Sequence, residues 1–187
     1  MIVVKNNERP DRIDYYMHIA MAVRRRANCI GNRVGTILVR NDRIISTGYN
    51  GTPEGTRNCD EGGCERCANR ERYRAAHGYD VCICVHAEQN ALLSAARFGI
   101  AVEGGSIYTT MRPCFGCTKE LLQARIQGVY YLHEWRHPND ELWRQYVMLQ
   151  DRFAGGVTRI DVPDPDEAWA VSALRDTEED TGHSMPL

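Results

Sequence analysis

The chain has 187 residues, of which 43% are hydrophobic and 26% charged, a composition typical of a soluble globular protein. No apolar run approaches the roughly 20 residues that a membrane-spanning helix requires, and the polar N-terminus lacks the apolar stretch of a signal peptide. We therefore expect a cytoplasmic protein. Eight cysteines in a reducing compartment indicate metal binding or catalysis rather than disulfides.

The net charge of −2 is unevenly distributed along the chain. Residues 161–187 hold eight acidic residues and one basic residue, which leaves 22 Lys and Arg against 17 Asp and Glu in residues 1–160. A mildly basic body suits a small anionic substrate such as a nucleotide, and it lacks the strong basic stripe of nucleic-acid-binding proteins. We expect one domain over 1–160 and an acidic, loosely ordered tail over 161–187.

Hydrophobic periodicity and turn residues predict alternating helices and strands. In chain order we expect a helix at 11–29, a hairpin of strands at 34–39 and 43–49, a helix at 86–98, a strand at 104–110, a helix at 113–124, a strand at 128–133, a helix at 141–152 and a short strand at 157–162. This order predicts a three-layer α/β/α fold with a mixed central sheet. Residues 50–80 lack periodicity and form an insertion that needs something to hold it in place.

Two short motifs begin two of these predicted helices: HAE at 86–88 and, 25 residues further on, PCFGC at 113–117. His86, Cys114 and Cys117 supply three zinc ligands and leave the fourth tetrahedral position for water, which is the mark of a catalytic zinc. Zinc lowers the pKa of such a water towards about 7, so hydroxide is available at neutral pH. The free N–H groups of a helix N-terminus also favour thiolates.

Glu88 follows His86 by two residues and can reach the reacting atoms without ligating the metal. Its expected role is a proton shuttle, which takes a proton from the attacking water and delivers protons to the ring nitrogen and the departing amine. Each feature alone has an ordinary explanation: a surface histidine, a redox CxxC pair, an acid at a helix start. Together, H-x-E and P-C-x-x-C are the known signature of zinc deaminases that act on cytosine or adenine.

From about residue 15 to about residue 135, the chain resembles the deoxycytidylate (dCMP) deaminases of the cytidine deaminase superfamily. The resemblance is carried by IISTGYNGTP at 44–53, HAEQNA at 86–91 and PCFGC at 113–117. It implies a cytidine-deaminase-like fold and hydrolytic conversion of dCMP to dUMP and ammonia, which supplies thymidylate synthesis. The motifs leave dCTP or 5-modified dCMP open as substrates. Polynucleotide editing is disfavoured by the weak positive charge, and a non-catalytic zinc module by the presence of Glu88.

The resemblance also implies roles outside the zinc signature. Asn50 in GYNG is expected to contact the substrate, although Asn-Gly is also a common hairpin turn. The family associates this loop with regulation by dCTP and dTTP, and Mg²⁺ would accompany such a nucleotide. Family members are commonly hexamers, so we expect a homo-oligomer. A phosphate pocket would draw on arginines, for which the candidates are Arg25, Arg26, Arg33 and Arg112.

Six further cysteines lie at 29, 59, 64, 67, 82 and 84, and the spacing of Cys64 and Cys67 is that of a zinc knuckle. Some dCMP deaminases resemble this chain in having a second zinc, with ligands from the end of the first helix, the loop after GYNG and the segment before HAE. On that basis we expect a structural zinc that holds the insertion, with ligands Cys29, Cys59, Cys64 and Cys82. Six cysteines offer other quartets, a cysteine before HAE can instead be a small core residue, and His77 is an alternative ligand.

Overall fold

The computed structural model describes residues 9–70, 72–73, 81–137 and 139–172. The strands are β1 (Gly35–Arg40), β2 (Arg43–Tyr49), β3 (Ser106–Met111), β4 (Gly128–His133) and β5 (Val157–Arg159). The helices are α1 (Arg12–Arg24), α2 (Glu65–Ala68), α3 (Ala87–Arg97), α4 (Phe115–Gln123), α5 (Asp140–Gln150) and α6 (Glu167–Ala170), with a 3₁₀ turn at Cys59–Glu61. Of the helices in this described part, none has both the length and the apolar character needed to span a membrane.

The five strands form one mixed sheet in the order β2-β1-β3-β4-β5. Strands β1 and β2 form the predicted antiparallel hairpin, whose turn residues Asn41 and Asp42 have φ values of 50° and 61°. Left-handed backbone at both positions gives the twist that a two-residue hairpin turn requires, and Asn and Asp tolerate it. Strand β3 is antiparallel to β1, whereas β4 and β5 run parallel to β3.

Successive residues of β1 face opposite sides of the sheet, as expected for a strand buried on both faces. Ile37 packs with Met17 of α1 on one side, and Leu38 packs with Leu121 of α4 on the other. All four side chains are fully buried. The predicted three-layer α/β/α fold is therefore confirmed. Asn50 directly follows the end of β2, and Cys114 lies three residues after the end of β3.

Helix α1 is shorter than the sequence predicts, since it ends at Arg24 and not near residue 29. Asp11 caps its start through a hydrogen bond of 2.8 Å to the first turn. At the other end the N–H of Ala27 bonds to the carbonyl of Arg24, which tightens the chain into a turn. The chain then leaves the helix direction and carries Cys29 away from the sheet.

Residues 161–172 pack against the body, which differs from the loose tail expected over 161–187. Asp164 accepts two hydrogen bonds of 2.7 Å from Arg24, whose side chain is fully buried, and lies 2.6 Å from Nε2 of His133. Trp169 stacks under the guanidinium of Arg33, 4.5 Å from the ring centre. The contacts of Asp164 with Arg24 and of Trp169 with Arg33 join residues more than 100 positions apart, so composition does not indicate them. Residues 173–187 lie outside the described part of the chain.

Candidate active site and a cluster of six cysteines

The two sequence motifs lie side by side because two helix N-termini meet at the edge of the sheet. His86 is the residue that precedes α3, and Cys114 is the residue that precedes α4. The side chain of Gln89 ties the two helices together, accepting a hydrogen bond of 2.9 Å from the His86 N–H and donating one of 2.9 Å to Glu120. The motifs are thus positioned by regular secondary structure.

The three predicted ligands form one compact group. Nδ1 of His86 lies 3.4 Å from Sγ of Cys114 and 3.4 Å from Sγ of Cys117. A tetrahedral zinc with ordinary bond lengths would separate nitrogen and sulfur ligands by about 3.6 Å, so the spacing fits this metal. Among the described residues no fourth Cys, His, Asp or Glu joins the group. The donor set therefore leaves one coordination position open.

The ligand side chains compete for protons in a way that a metal ion would relieve. A hydrogen bond with Cys117 lowers the pKa of Cys114 to about 4, and the same contact raises the pKa of Cys117. The hydrogen bond with Cys114 raises the pKa of His86 to about 9. Metal ligands bind in their deprotonated forms, so a cation at this point would displace the shared protons.

Glu88 lies in the first turn of α3, beside the ligand group but outside it. Its side chain is 4% exposed, and Oε2 accepts a hydrogen bond of 3.6 Å from Sγ of Cys117. Burial raises the pKa of this carboxyl group to about 7. A carboxyl group in such a place can hold a proton next to whatever occupies the open coordination position.

The ligand group opens into a cavity of about 440 Å³. Asn50 lines it, with its amide oxygen accepting a hydrogen bond of 2.8 Å from the Val34 N–H and its amide nitrogen donating one of 2.8 Å to the Asn32 carbonyl. Asn50 is not part of a hairpin turn, because Gly51 pairs with Val85 in a short antiparallel bridge. This pairing places the GYNG loop directly against the segment that leads to His86.

Only Arg112 of the four candidate phosphate-binding arginines lines the cavity. Its guanidinium donates hydrogen bonds of 2.7 and 2.9 Å to Gln150 and one of 2.9 Å to Glu134. Arg25 instead pairs with an acidic side chain of the 161–172 segment, and Arg33 with Trp169.

Two arginines that the sequence did not single out, Arg66 and Arg70, also line the cavity, together with Trp135. Both arginines belong to the insertion, which lacks hydrophobic periodicity. Their four-residue spacing beside Cys64-x-x-Cys67 is a local signal that could have been used to find them.

The other six cysteines converge on one cluster beside this cavity. Groups whose sulfur atoms lie within 4.8 Å of one another are Cys29, Cys59 and Cys84; Cys59, Cys64 and Cys67; and Cys64, Cys82 and Cys84. All eight cysteines of the chain are free. The predicted ligands are all members of the cluster, but Cys67 and Cys84 belong to it equally, and the predicted quartet is not one of these groups. His77 lies outside the described residues.

Comparison with known proteins agrees with the fold and with the ligand group. The family described as the cytidine and deoxycytidylate deaminase zinc-binding region matches residues 10–133. The chain therefore belongs to the cytidine and deoxycytidylate deaminase family, as its motifs predict. The matched region spans the HAE and PCFGC motifs, so zinc binding is a property of the domain to which these residues belong.

The chain is similar in sequence to two curated relatives and in structure to one solved protein. The chain is 42% identical over 126 residues (67% of its length) to the deoxycytidylate deaminase of Schizosaccharomyces pombe, and 38% identical over 128 residues (68%) to that of Saccharomyces cerevisiae. It spans about two fifths of those relatives, 38% and 39%. The dCMP deaminase of cyanophage S-TIM5, in complex with dCMP and dUMP, matches 82% of this chain and 100% of its own, with 28% identity and a TM-score of 0.62.

Proposed function

We propose that this chain catalyses the hydrolytic deamination of dCMP to dUMP and ammonia, with zinc held by His86, Cys114 and Cys117. The observation that carries the proposal is the meeting of a three-ligand group and a buried carboxyl group, Glu88, at one end of a cavity. The names of the yeast relatives and the nucleotides bound by the cyanophage enzyme support dCMP as the substrate.

Zinc, when bound, supplies a hydroxide nucleophile at neutral pH and polarises the reacting centre. Glu88 has the position of the proton carrier, because its carboxyl group is buried at the ligand group without belonging to it. It accepts the first proton of the water as the nucleophile forms and passes it to the ring nitrogen, then accepts the second proton of that water and passes it to the leaving amine. Burial keeps those protons from exchanging with bulk water. It also strengthens the electrostatic interactions between Glu88 and the reacting atoms.

Substrate recognition in this proposal uses the remaining cavity residues. Asn50 holds the Val34 N–H and the Asn32 carbonyl in place and retains a second amide N–H for the nucleotide. Trp135 offers an aromatic face to the base, and Arg66, Arg70 and Arg112 supply positive charge for the phosphate. In this arrangement the base lies near His86, and the phosphate lies towards the insertion.

We propose in addition a structural metal at the cluster of cysteines. Residues 57–70 have one 3₁₀ turn and the four-residue helix α2 as their regular structure, so hydrogen bonds within elements do not account for their fold. Metal binding there supplies folding free energy that the local sequence lacks. Regulation by dCTP and dTTP, with Mg²⁺ accompanying the nucleotide, is proposed on the resemblance of GYNG to the dCMP deaminases.

The same resemblance leads us to propose a cytoplasmic homo-oligomer, a hexamer as is common in the family. Large apolar side chains on the surface favour association, since Leu93 and Phe98 near α3, and Leu142 and Met148 on α5, are 52–71% exposed. Light scattering on the purified full chain tests the oligomeric state, and a monomer at micromolar concentration contradicts it.

The substrate is tested by incubating the purified zinc-loaded protein with dCMP, dCTP, deoxycytidine and a short single-stranded DNA. The loss of cytosine absorbance measures turnover of each. We expect dCMP to be converted with the highest kcat/KM, and a paired assay with CMP reports discrimination at the sugar. Preference for deoxycytidine, dCTP or DNA over dCMP would contradict the proposal.

A further inference from the structure

Helix α5 carries two polar side chains that are almost completely buried. Gln150, its last residue, is 2% exposed, and Tyr146, one turn earlier, is 1% exposed. Burying an amide is costly unless its oxygen and nitrogen are hydrogen-bonded. The helix lies outside residues 10–133, which match the deaminase family, so membership of the family does not account for this pair. Their partners show what the pair does.

The amide oxygen of Gln150 holds the side chain of Arg112. Oε1 accepts hydrogen bonds of 2.9 Å from Nε and 2.7 Å from Nη2 of the guanidinium. Two adjacent N–H groups on one oxygen fix the plane of the guanidinium as well as its position. Glu134 accepts a third bond, of 2.9 Å, from Nη1. Bonds to described residues therefore use three of the five N–H groups, and two are available to a ligand.

Aromatic rings surround the same guanidinium. Its Cζ lies 4.8 Å from the ring centre of Trp143, and 5.4 and 5.5 Å from those of Tyr131 and Tyr146. The side chain of Arg112 is 14% exposed. A planar cation held between rings and hydrogen bonds has already lost most of its rotamer freedom, so an anion that binds it costs little further side-chain entropy.

The amide nitrogen of Gln150 reaches the PCFGC motif. Nε2 donates a hydrogen bond of 2.7 Å to the hydroxyl of Tyr146, which in turn donates to the carbonyl of Pro113. Nε2 also lies 3.4 Å from Oγ1 of Thr118. Pro113 and Thr118 stand immediately before and after the stretch that holds both cysteines of the motif. One buried amide therefore fixes Arg112 relative to the candidate metal ligands.

Arg112 lines the same cavity as His86 and Glu88, whereas Gln150 does not. A nucleotide whose base reacts at the ligand group presents its negative charge elsewhere in the cavity, and the fork of a guanidinium matches a phosphate. We infer that Gln150 is a positioning residue, which holds Arg112 in the orientation that binds the phosphate of dCMP. This inference rests on the proposed function and deepens its account of substrate recognition.

The first test is Gln150→Leu, which keeps the size of the side chain and removes its polar atoms. We expect KM for dCMP to rise by up to about 100-fold, the cost of misplacing a group by about 1 Å. We expect kcat and zinc content to stay close to those of the unaltered chain. The control is Gln145→Leu, the same change at an exposed position of α5, which should alter neither constant. Reduced kcat or zinc content with an unchanged KM would indicate a merely structural role and overturn the inference.

A double-mutant cycle tests whether Gln150 acts through Arg112. The variants are Arg112→Ala, Gln150→Leu and the combination of both, with KM for dCMP as the measurement. Groups that act as one unit give non-additive effects. We expect Arg112→Ala to raise KM at least as much as Gln150→Leu, and Gln150→Leu to cause no further rise once Arg112 is replaced. Effects that multiply independently would overturn the positioning role.

Arg112→Lys tests the same point without changing Gln150, and it decides the question if Gln150→Leu fails to fold. Lysine keeps the positive charge but lacks the planar fork, so it cannot bond Gln150 and Glu134 together as arginine does. We expect its KM for dCMP to approach that of Arg112→Ala. A KM equal to that of the unaltered chain would show that charge alone suffices and overturn the inference.

The same measurements separate this inference from the proposed function. If the unaltered zinc-loaded chain does not deaminate dCMP, the proposed function fails and the positioning role of Gln150 fails with it. If the unaltered chain deaminates dCMP and Gln150→Leu leaves KM unchanged, only the positioning role is overturned.

Discussion

The two cysteine-containing sites of this molecule are neighbours, but they are built in opposite ways. The candidate ligands His86, Cys114 and Cys117 lie at the starts of α3 and α4, and those helices pack on the sheet through apolar side chains. The six-cysteine cluster is held by a 3₁₀ turn, a four-residue helix and irregular chain. At the first site the fold positions the candidate metal ligands, and at the second the proposed structural metal holds the chain.

Because the two sites are built differently, the loss of metal should have different consequences at each of them. An open, three-ligand site is a place for chemistry, and losing its ion leaves a folded protein without activity. A closed, all-sulfur site contributes to folding itself, so losing its metal releases the segment that it binds. The following experiments test that contrast, beginning with the largest expected effect.

Removal of metal from the cluster should release the insertion. Structural zinc sites contribute about 10–16 kcal/mol of apparent binding free energy, and residues 57–70 have little other support. We expect a strong chelator to abolish hydrogen-exchange protection in residues 57–70 and 81–85, while β1, β3 and β4 keep theirs. Mass spectrometry of exchanged peptides measures this. Unchanged protection of the insertion after complete metal loss would contradict the proposal that metal holds this segment in place.

Glu88→Gln should remove activity without removing metal. Loss of a general acid–base group costs about 10²- to 10⁴-fold in rate, and Glu88 is not one of the grouped ligands. We expect kcat for dCMP to fall within that range, with zinc content and thermal unfolding close to those of the unaltered chain. Retained activity rejects the proton-carrier role, and lost zinc would instead indicate that the carboxyl group is a ligand.

The 161–172 segment is held against the body of the protein by a buried ion pair and not by a metal. Asp164→Asn leaves the fully buried Arg24 guanidinium without its charge partner, and breaking such a buried pair costs about 3–5 kcal/mol. Urea unfolding at neutral pH measures the change in free energy. The matched control is Glu54→Gln, which removes a solvent-exposed partner of Arg97 and should produce no measurable change. An equal effect from both variants contradicts the importance of burial.

The same pair predicts a pH dependence. Burial alone would raise the pKa of Asp164, but hydrogen bonds from Arg24 and His133 outweigh it and lower the pKa to about 2 from its ordinary 3.8. The carboxylate therefore contributes its full stabilisation above about pH 4, and that contribution is lost as the pH falls towards 2. The difference in unfolding free energy between the unaltered chain and Asp164→Asn should shrink over this interval. A constant difference contradicts the assignment.

The smallest expected effect concerns Asn50. Replacing it by Ala leaves the Val34 N–H and the Asn32 carbonyl without their partner, at a cost of about 1–3 kcal/mol. We expect that loss in unfolding free energy, together with a raised KM for dCMP if the remaining N–H contacts the nucleotide. Asn90→Ala is the control, because its amide also bonds one backbone carbonyl near the site, at 2.7 Å. A changed KM in both variants would indicate a merely structural role for Asn50.

Local sequence signals were sufficient for the candidate catalytic group and for most of the fold. His86, Glu88, Cys114 and Cys117 fall within two motifs of three and five residues, each at a helix start, so spacing alone places each set on one turn. The hairpin at Asn41 and the alternating elements follow from periods of 2 and 3.6, which are likewise short-range properties. The sequence by itself therefore determined the layer architecture and which four residues meet at the open site.

Only the tertiary structure decided which distant residues meet. Cys29 and Cys84 are 55 positions apart, and Arg24 and Asp164 are 140, and no local period links either pair. Arg66 and Arg70 reach the cavity because the insertion folds back across it. Six cysteines allow many quartets by spacing alone. The structure brings all six into one cluster, because chain packing fixes the distances between segments and the order of residues does not.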